Sequence, residues 1–386
     1  MKIIIYCQHV LGVGHFFRTL EIAKAMKSFD VILITGGGKV DVTLPVHVRQ
    51  IELPGLMMDE NFSHLYSIDP ARTLETVKYE REKLLLDLIK NENPDLFLIE
   101  LYPFGRRAFR FELNPVLDFI KDNLRKCKVV CSLRDILVEK ENKAKYEQRV
   151  CSALNRWFDT VLVHSDPQLI QLDSTFSQLD KIKIPIVYTG FVTPVPEPEK
   201  VKKIRKKRVS GQDEYLITAS AGGGNVGAPL LKAVVQAFNT LSLKKNARLN
   251  VFTGPYMDDH DKKYLYSFSD SRIRVEEFAD NFVSLLSASD LSISMAGYNT
   301  CMNIVAAKVP SLVWPFVQNR EQRQRAQKIA QFVPMTILED SDLAIPLLTQ
   351  LIEKNLARHR DKVIVKDFKL NINGAVNTAN WIGNKL

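Results

Sequence analysis

Cysteine is scarce and unpatterned in this chain of 386 residues: Cys7, Cys127, Cys131, Cys151 and Cys301 are odd in number, and none stand in CxxC spacing. Most sit in or beside apolar segments, which argues against disulfides or a thiolate zinc site and for buried reduced thiols in a cytoplasmic protein. Long apolar runs are missing too. No stretch approaches the about eighteen apolar residues of a membrane span, and Met1-Lys2 leads directly into a strand, so no leader peptide is expected. Apolar residues at 46% and charged residues at 25% give an ordinary globular balance. A net charge of +9 admits nucleic acid, anionic lipid or phosphorylated ligands, but no nucleic-acid-binding motif accompanies it. Part of the excess is concentrated in Lys200–Arg208, where seven of nine residues are basic. Its plain reading is a solvated linker; the alternative is weak peripheral attachment to the inner face of a membrane.

The first half alternates strand and helix. Strands are expected at Lys2–Gln8, Asp30–Thr35, Val46–Leu53, Asp95–Glu100, Lys128–Leu133, Thr160–His164 and Ile182–Tyr188, with helices at Phe16–Ser28 and about Ala71–Asn91. A Pro- and Lys-rich linker follows. The second half repeats the pattern from Glu214–Ala219, then a helix from Pro229 with Leu230, Val234, Phe238 and Leu241 on one face, and strands at Arg248–Thr253, Arg272–Glu276, Leu291–Ser294, Pro310–Trp314 and Met335–Leu338. Repeated βα units call for parallel sheets covered on both faces. The expected class is α/β, two Rossmann-like domains with parallel sheets facing a cleft. Residues 1–192 form the first domain, 193–213 a linker, and 214–386 the second, whose terminal helices can pack back on the first.

Two glycine-rich turns in the second half each join a strand to a helix: Ser-Ala-Gly-Gly-Gly-Asn-Val-Gly, residues 220–227, and Ala-Gly-Tyr-Asn, residues 296–299. In the second, Asn299 is suited to cap the helix. Two helix N-termini at one sheet edge suit a diphosphate and its attached sugar. Residues 220–227 are not a P-loop, because no Gly-Lys-Ser/Thr follows, and not a hydride-cofactor fingerprint. Gly254 ends a further strand and shapes the floor beside it. In the first half His9–Arg18 places Gly12 and Gly14 after the first strand and His15 at the helix start. There an imidazole can accept a proton from an acceptor hydroxyl, or merely cap the helix. Arg18 is a phosphate contact or a solvated first-turn residue. Glu100 closes a strand and orients His15 or a sugar hydroxyl, or pairs with Arg106 or Arg107. Gln318–Arg323 offers amides for sugar hydroxyls and guanidinium for phosphate, or is an exposed helix start with an internal Glu–Arg pair. Asp258–Asp261 reads as a polar loop and not as a metal site, and His164-Ser165-Asp166 as a strand end and not as a triad.

The segments GVGHFFRTLEIAKAM, LYPFGRRAFRFEL, SLRDIL, FTGP, SMAGYNT and PFVQNREQRQRA occur in this order. Together they resemble GT-B glycosyltransferases of the group that makes lipid II, with a family 28-like C-terminal domain, and more closely bacterial proteins described as predicted glycosyltransferases. The resemblance implies inverting transfer from a nucleotide sugar, a UDP-sugar by the usual choice, without metal or other cofactor. The donor would be held by the second domain and a small-molecule or lipid-linked acceptor by the first. By position it makes His15 the candidate base and Gly222, Gly223, Gly224, Asn225 and Gly227 the donor-phosphate loop; the reading of the residues themselves sets Glu100 beside that base and Gly12, Gly14 and Arg18 on the acceptor or phosphate side. Gly297, Tyr298, Asn299 and Thr300 fall on the turn beside the nucleotide and diphosphate, with Gly254 at the floor as read above, and Gln322 falls on the glutamine that meets the donor sugar. Asn303 stands where the lipid II enzymes carry a glutamate for the ribose, and Arg323 where they carry a second glutamine. A hydrolase or epimerase on the same fold and a non-catalytic nucleotide-sugar-binding protein are the alternatives.

Overall fold

The computed structural model describes residues 1–10, 13–59, 64–138, 141–209, 214–243, 246–357 and 370–385. The chain divides into two units, Met1–Val192 with Asn371–Leu386, and Thr193–Leu370.

In the first unit the strands are β1 (Lys2–Tyr6), β2 (Asp30–Thr35), β3 (Val48–Glu52), β4 (Leu56–Met58), β5 (Leu65–Ser67), β6 (Leu96–Glu100), β7 (Lys128–Arg134), β8 (Thr160–His164) and β9 (Ile186–Tyr188). All but β4 and β5, a small antiparallel pair, form one parallel sheet in the order β3-β2-β1-β6-β7-β8-β9. Its helices are α1 (Gly14–Ala25), α2 (Leu74–Glu92), α3 (Arg110–Asn123) and α4 (Lys143–Trp157). β6 and β8 are buried along their whole length, as strands covered on both faces must be. Ile4, Tyr6, Ile32, Phe97 and Ile99 share a core with residues of α2, α3 and α4. Their alternating neighbours Ile3, Ile5, Leu33 and Leu98 share another with Phe16, Leu20 and Ala23 of α1. α2 starts at Thr73, whose hydroxyl accepts the Thr76 N–H at 3.2 Å, and stops where Asn93 turns left-handed at φ 44°.

The second unit opens with α5 (Pro198–Arg208), then β10 (Tyr215–Ser220), α6 (Ala228–Asn239), β11 (Ala247–Phe252), α7 (Asp259–Tyr266), β12 (Ile273–Glu276), α8 (Phe282–Ala288), β13 (Leu291–Met295), α9 (Tyr298–Ala307), β14 (Ser311–Trp314), α10 (Arg320–Ile329), β15 (Met335–Ile337) and α11 (Ile345–Leu356). Its parallel sheet runs β12-β11-β10-β13-β14-β15. Ile217, Ala219, Val251 and Ile293 form its core with Leu230 and Val234 of α6 and Leu348 and Ile352 of α11. α12 (Gly374–Lys385) belongs to the first unit, where Ala379 and Ile382 join the α1 core. Among the described residues no helix is long and apolar enough to cross a membrane.

The segment expected as a linker is in part a helix of the second unit. Pro198 begins α5, Arg205 bonds Asp290 at 2.5 Å and the Glu214 carbonyl at 2.6 Å, and Arg208 pairs with Glu276 at 2.7 Å. Lys200 and Lys202 pair with Glu197 and Glu199. Local pairing therefore absorbs four of its seven basic side chains. Ser210–Asp213, the rest of that expected linker, lie outside the described residues.

A buried polar assembly of the first unit centres on Arg81, whose side chain is inaccessible. Its Nε and Nη2 donate to the two oxygens of Glu112 at 2.7 and 2.6 Å, Nη1 to the carbonyls of Pro54 (2.7 Å) and Gly36 (3.2 Å), and Nη2 also to Gln8 Oε1 at 2.8 Å. The Tyr6 hydroxyl completes Glu112. One fork thus ties the end of β1 to α2, α3 and the turns after β2 and β3. Replacing Arg81 with Met leaves Glu112 buried without its cation, and urea unfolding is expected to lose about 3–5 kcal/mol. The double variant Arg81→Met/Glu112→Leu should lose less than Arg81→Met alone.

Candidate active site

Open parallel sheets bind ligands outside the carboxyl ends of strands where the strand order reverses. In the first unit that point lies between β1 and β6, and it gathers the predicted His15 and Glu100. α1 begins at Gly14, with no side chain capping its first turn, so His15 sits on the first turn beyond β1. Its Nδ1 lies 2.6 Å from Glu100 Oε1 at the end of β6. The Nδ1–H donates to this carboxylate, which fixes the tautomer and leaves Nε2 as the basic atom. Glu100 is wholly buried, whereas the His15 side chain keeps 23% of its exposure. Arg18, expected as a phosphate contact or a solvated first-turn residue, is not solvated: it is buried and donates to Glu100 through Nη2, as a buried carboxylate needs a cation. Arg106 approaches the other carboxylate oxygen at 3.8 Å.

These charges set the protonation states. Burial pushes the His15 imidazole down to about 3, with Arg106 and Arg18 acting in the same sense and Glu100 opposing them. Burial would raise Glu100, but His15, Arg18 and Arg106 outweigh it and hold the carboxyl well below its usual range. The site at neutral pH is therefore a neutral imidazole hydrogen-bonded to a carboxylate, able to accept a proton at Nε2 and share the resulting charge. Gly14 lies at the start of α1; Gly12 lies outside the described residues.

His164-Ser165-Asp166 is no triad. His164 is held between Ser132 Oγ (2.7 Å) and Thr189 Oγ1 (2.8 Å), Ser165 donates to the Ile170 carbonyl at 2.6 Å, and Asp166 accepts the N–H groups of Gln168 and Asn371, each at 2.9 Å.

In the second unit the strand order reverses between β10 and β13, and both glycine turns follow these two strands. α6 and α9 start at Gly227 and Gly297, neither with a side-chain cap. Asn299, expected to cap α9, instead lies inside its first turn, and the glycine at the cap leaves the helix N-terminus open to an anion. A Cβ on Gly222 or Gly297 would meet nothing within 4 Å, so both turns border open space. Gly254, at φ +80°, packs against the Gly222–Gly223 backbone so closely that a side chain there would collide with it. The Gly223 carbonyl accepts the Tyr256 N–H at 2.9 Å, which pins the loop that also carries Gly224 and Asn225.

The other expected donor residues divide. Gln322 accepts the Phe316 N–H at 3.1 Å, placing its amide at the turn after β14, next to β13. Asn303 accepts from the Thr193 hydroxyl at 2.9 Å. Tyr298 is buried with the Arg325 guanidinium 5.5 Å over its ring, and Thr300 is buried as well; these two contribute backbone and packing. Arg323 is not brought to the glycine turns through its side chain: it forks onto Glu339 at 2.6 and 2.5 Å, the geometry guanidinium and carboxylate prefer. Asp258–Asp261, expected as a polar loop, starts α7, since Asp258 caps it by accepting the His260 N–H at 2.8 Å. Asp258, His260 and Asp261 lie close enough to hold an ion, but Asp261 is bound to Lys232 at 2.6 Å.

The fold has counterparts throughout its length. MurG of Acinetobacter baumannii superposes with a TM-score of 0.53 at 16% identity, covering 98% of this chain and 95% of that one. The calicheamicin glycosyltransferase CalG4 gives 0.59 at 13% identity over 99% and 96%. The chain has the GT-B fold. Residues 219–369 match the glycosyltransferase family 28 C-terminal domain, which takes in both glycine turns and Gln322. Among curated relatives, the UDP-N-acetylglucosamine–N-acetylmuramyl-(pentapeptide) pyrophosphoryl-undecaprenol N-acetylglucosamine transferase of Carboxydothermus hydrogenoformans is 30% identical over 185 residues, 45% of this chain and 49% of the relative. Its namesake from Rickettsia akari is 27% identical over 172 residues, 43% and 44%. The chain thus spans about half the length of the curated relatives it matches.

Sequence reasoning underrated Arg106, weighed only as an ion-pair partner. Its guanidinium is 7% exposed, and its Nε and Nη2 make no hydrogen bond among the described residues. In this GT-B first unit it presents N–H groups beside the His15–Glu100 pair. Its left-handed backbone, φ 57°, is the one local signal, and residue type does not reveal it.

His164, fully buried, is pushed down to about 3 from an ordinary 6.5, by burial first and then by Arg18. Between these values the unfolded chain binds a proton that the folded chain does not, so stability falls as pH falls. The expected slope is up to about 1.4 kcal/mol per pH unit from this residue. Urea midpoints taken from pH 7 to pH 5 should decline in the native chain and less steeply in His164→Asn.

Proposed function

We propose that the chain is an inverting, metal-independent glycosyltransferase that moves a sugar from a nucleoside diphosphate sugar, UDP-linked, to an acceptor hydroxyl. The carrying observation is the pair of uncapped helix N-termini at the β10/β13 reversal, inside a family 28 C-terminal domain. Backbone N–H groups of Gly222–Gly227 and Gly297–Thr300 bind the donor diphosphate. The acceptor oxygen attacks the anomeric carbon from the face opposite the diphosphate and gives its proton to His15 Nε2. The bond from the anomeric carbon to the phosphate oxygen breaks with its electron pair, and the nucleoside diphosphate leaves as an anion. One oriented N–H donor at such a developing charge is worth about 2.7–4 kcal/mol. Glu100 stabilises the imidazolium, and Arg18 and Arg106 keep Glu100 ionised. The relatives' names include a pyrophosphoryl-undecaprenol acceptor, which supports a lipid-linked acceptor here.

The reading is tested by screening binding and turnover against a panel of nucleoside diphosphate sugars without added metal. One donor should bind with negligible hydrolysis until an acceptor is supplied. Gly297→Val, which has room to fold, should abolish donor binding at unchanged Tm. His15→Ala should keep donor affinity and lower turnover by about 10²–10⁴. Fast nucleoside diphosphate release without acceptor, lost in His15→Ala, would assign a hydrolase instead, and no donor binding at all would assign a non-catalytic role.

Peripheral membrane contact through Lys200–Arg208 rests on exposed Lys203, Lys206 and Lys207. Replacing these three with Ser should reduce retention on anionic vesicles at low salt; equal retention overturns the contact.

A further inference from the structure

The two oxygens of Glu100 are not treated alike. Oε1 takes the His15 Nδ1–H and the Arg18 guanidinium. Oε2 is buried with no hydrogen-bond partner among the described residues, and Arg106 stands off it at 3.8 Å. A buried carboxylate oxygen in that state draws any donor within its reach.

The adjoining strand carries such a donor. Ser132 of β7 is the register partner of Glu100 of β6. Leu98, Val130 and Leu162, two residues before Glu100, Ser132 and His164 on β6, β7 and β8, share the α1 core. The three polar side chains therefore line one face of the sheet in a row. Neighbouring strands lie about 4.8 Å apart, so a Ser132 hydroxyl turned toward β6 meets the Glu100 carboxylate. It is turned the other way, and Ser132 Oγ lies 2.7 Å from His164 Nε2.

The far side of the ring fixes the direction of that bond. Thr189 aims its own O–H at the carbonyls of Gly190 (3.4 Å) and Val163 (3.5 Å). Its oxygen therefore accepts the His164 Nδ1–H at 2.8 Å. Nε2 is left with the lone pair, and Ser132 donates to it. Burial and then the charge of Arg18 keep the ring neutral against the pull of Glu100. On the β1 side the Cys7 thiol, pushed up to about 12 by burial and then by Glu100, stays protonated and is a weak donor.

We propose that His164 is a positioning residue for the base: it holds the Ser132 hydroxyl away from Glu100 Oε2 and so leaves the carboxylate's charge to the His15 Nδ1–H. Naming His15 the base rests on the transferase reading above; the bonds themselves do not. The His-Ser-Asp run that forms no triad thus acts on the site from two strands away.

The test uses the full chain, 15N-labelled at histidine and free of nucleotide. In His164→Leu the acceptor is gone and the Ser132 hydroxyl turns to Glu100. A carboxylate with one more donor pulls less on His15, so the His15 Nδ1–H proton resonance should move upfield. With a donor and acceptor supplied, kcat at neutral pH should fall about three- to tenfold at unchanged KM. Ser132→Ala/His164→Leu should restore both readouts, because the competing hydroxyl is removed. Thr189→Val keeps the ring, frees Nδ1 and lets Nε2 carry the proton. It should give a smaller change of the same sign, and it covers the case in which His164→Leu does not fold. A His15 resonance unmoved in both variants overturns the proposal, as does a double variant as impaired as His164→Leu, which would leave His164 a packing residue. Turnover without the resonance shift sinks this inference alone. A shift that Ser132→Ala reverses, in a protein that turns over no donor, sinks the transferase reading alone.

Discussion

A parallel sheet opens a crevice between two loops at its carboxyl edge where its strand order reverses, and both units of this chain depend on that constraint. Between β1 and β6 it sets the first turn of α1 against the end of β6; between β10 and β13 it sets the two glycine turns together. The reversal leaves polar groups of several elements at one buried junction, where they must be satisfied. In the first unit the Glu100 carboxylate with Arg18 and His15 does this at the reversal itself, and the Arg81–Glu112 fork does it on the β1 side, across β1, α2, α3 and the turns after β2 and β3. Its directional bonds give the junction one geometry where apolar packing would tolerate several.

The two reversal points solve different electrostatic problems. In the first unit a buried carboxylate is kept ionised by two guanidinium groups, and the imidazole it holds is kept neutral by the same burial and the same cations. Side chains do this work because a proton acceptor must be one particular atom. In the second unit the anion site proposed above would be made from backbone at uncapped helix starts, where any side chain large enough to cap would occupy the ligand's place. Glycine is therefore abundant in one site and titratable residues in the other.

That difference decided what the sequence could reveal. The glycine turns were legible because backbone chemistry leaves a compositional mark, and His15 and Glu100 because each ends or begins a clearly periodic element. The cap of α9 was misplaced by two residues, since Asn299 has the capping chemistry but Gly297 has the open space. α4 was not anticipated: its buried stripe of Tyr146, Val150, Cys151 and Leu154 includes Glu147, a buried carboxylate that accepts from the Ser177 N–H and hydroxyl at 2.8 and 2.6 Å. A partner thirty positions away made an acid a core residue, which local pattern cannot see. The commitments of Arg18 to Glu100 and of Arg323 to Glu339 are likewise long-range pairings that residue type leaves open.

If the glycine turns hold the donor diphosphate as proposed, a backbone cradle is indifferent to what the phosphate carries, and discrimination among donors falls to side chains near it. Asn303 and Gln322 are the two expected amides, and in both the carbonyl oxygen is already occupied, by the Thr193 hydroxyl and by the Phe316 N–H. Each oxygen keeps a second lone pair and each amide its NH2 group, so both can still donate and accept. A carboxylate at position 303 could only accept, whereas the amide there meets a hydroxyl in either hydrogen-bonding role. Thr193 holds that amide in place through one of its lone pairs.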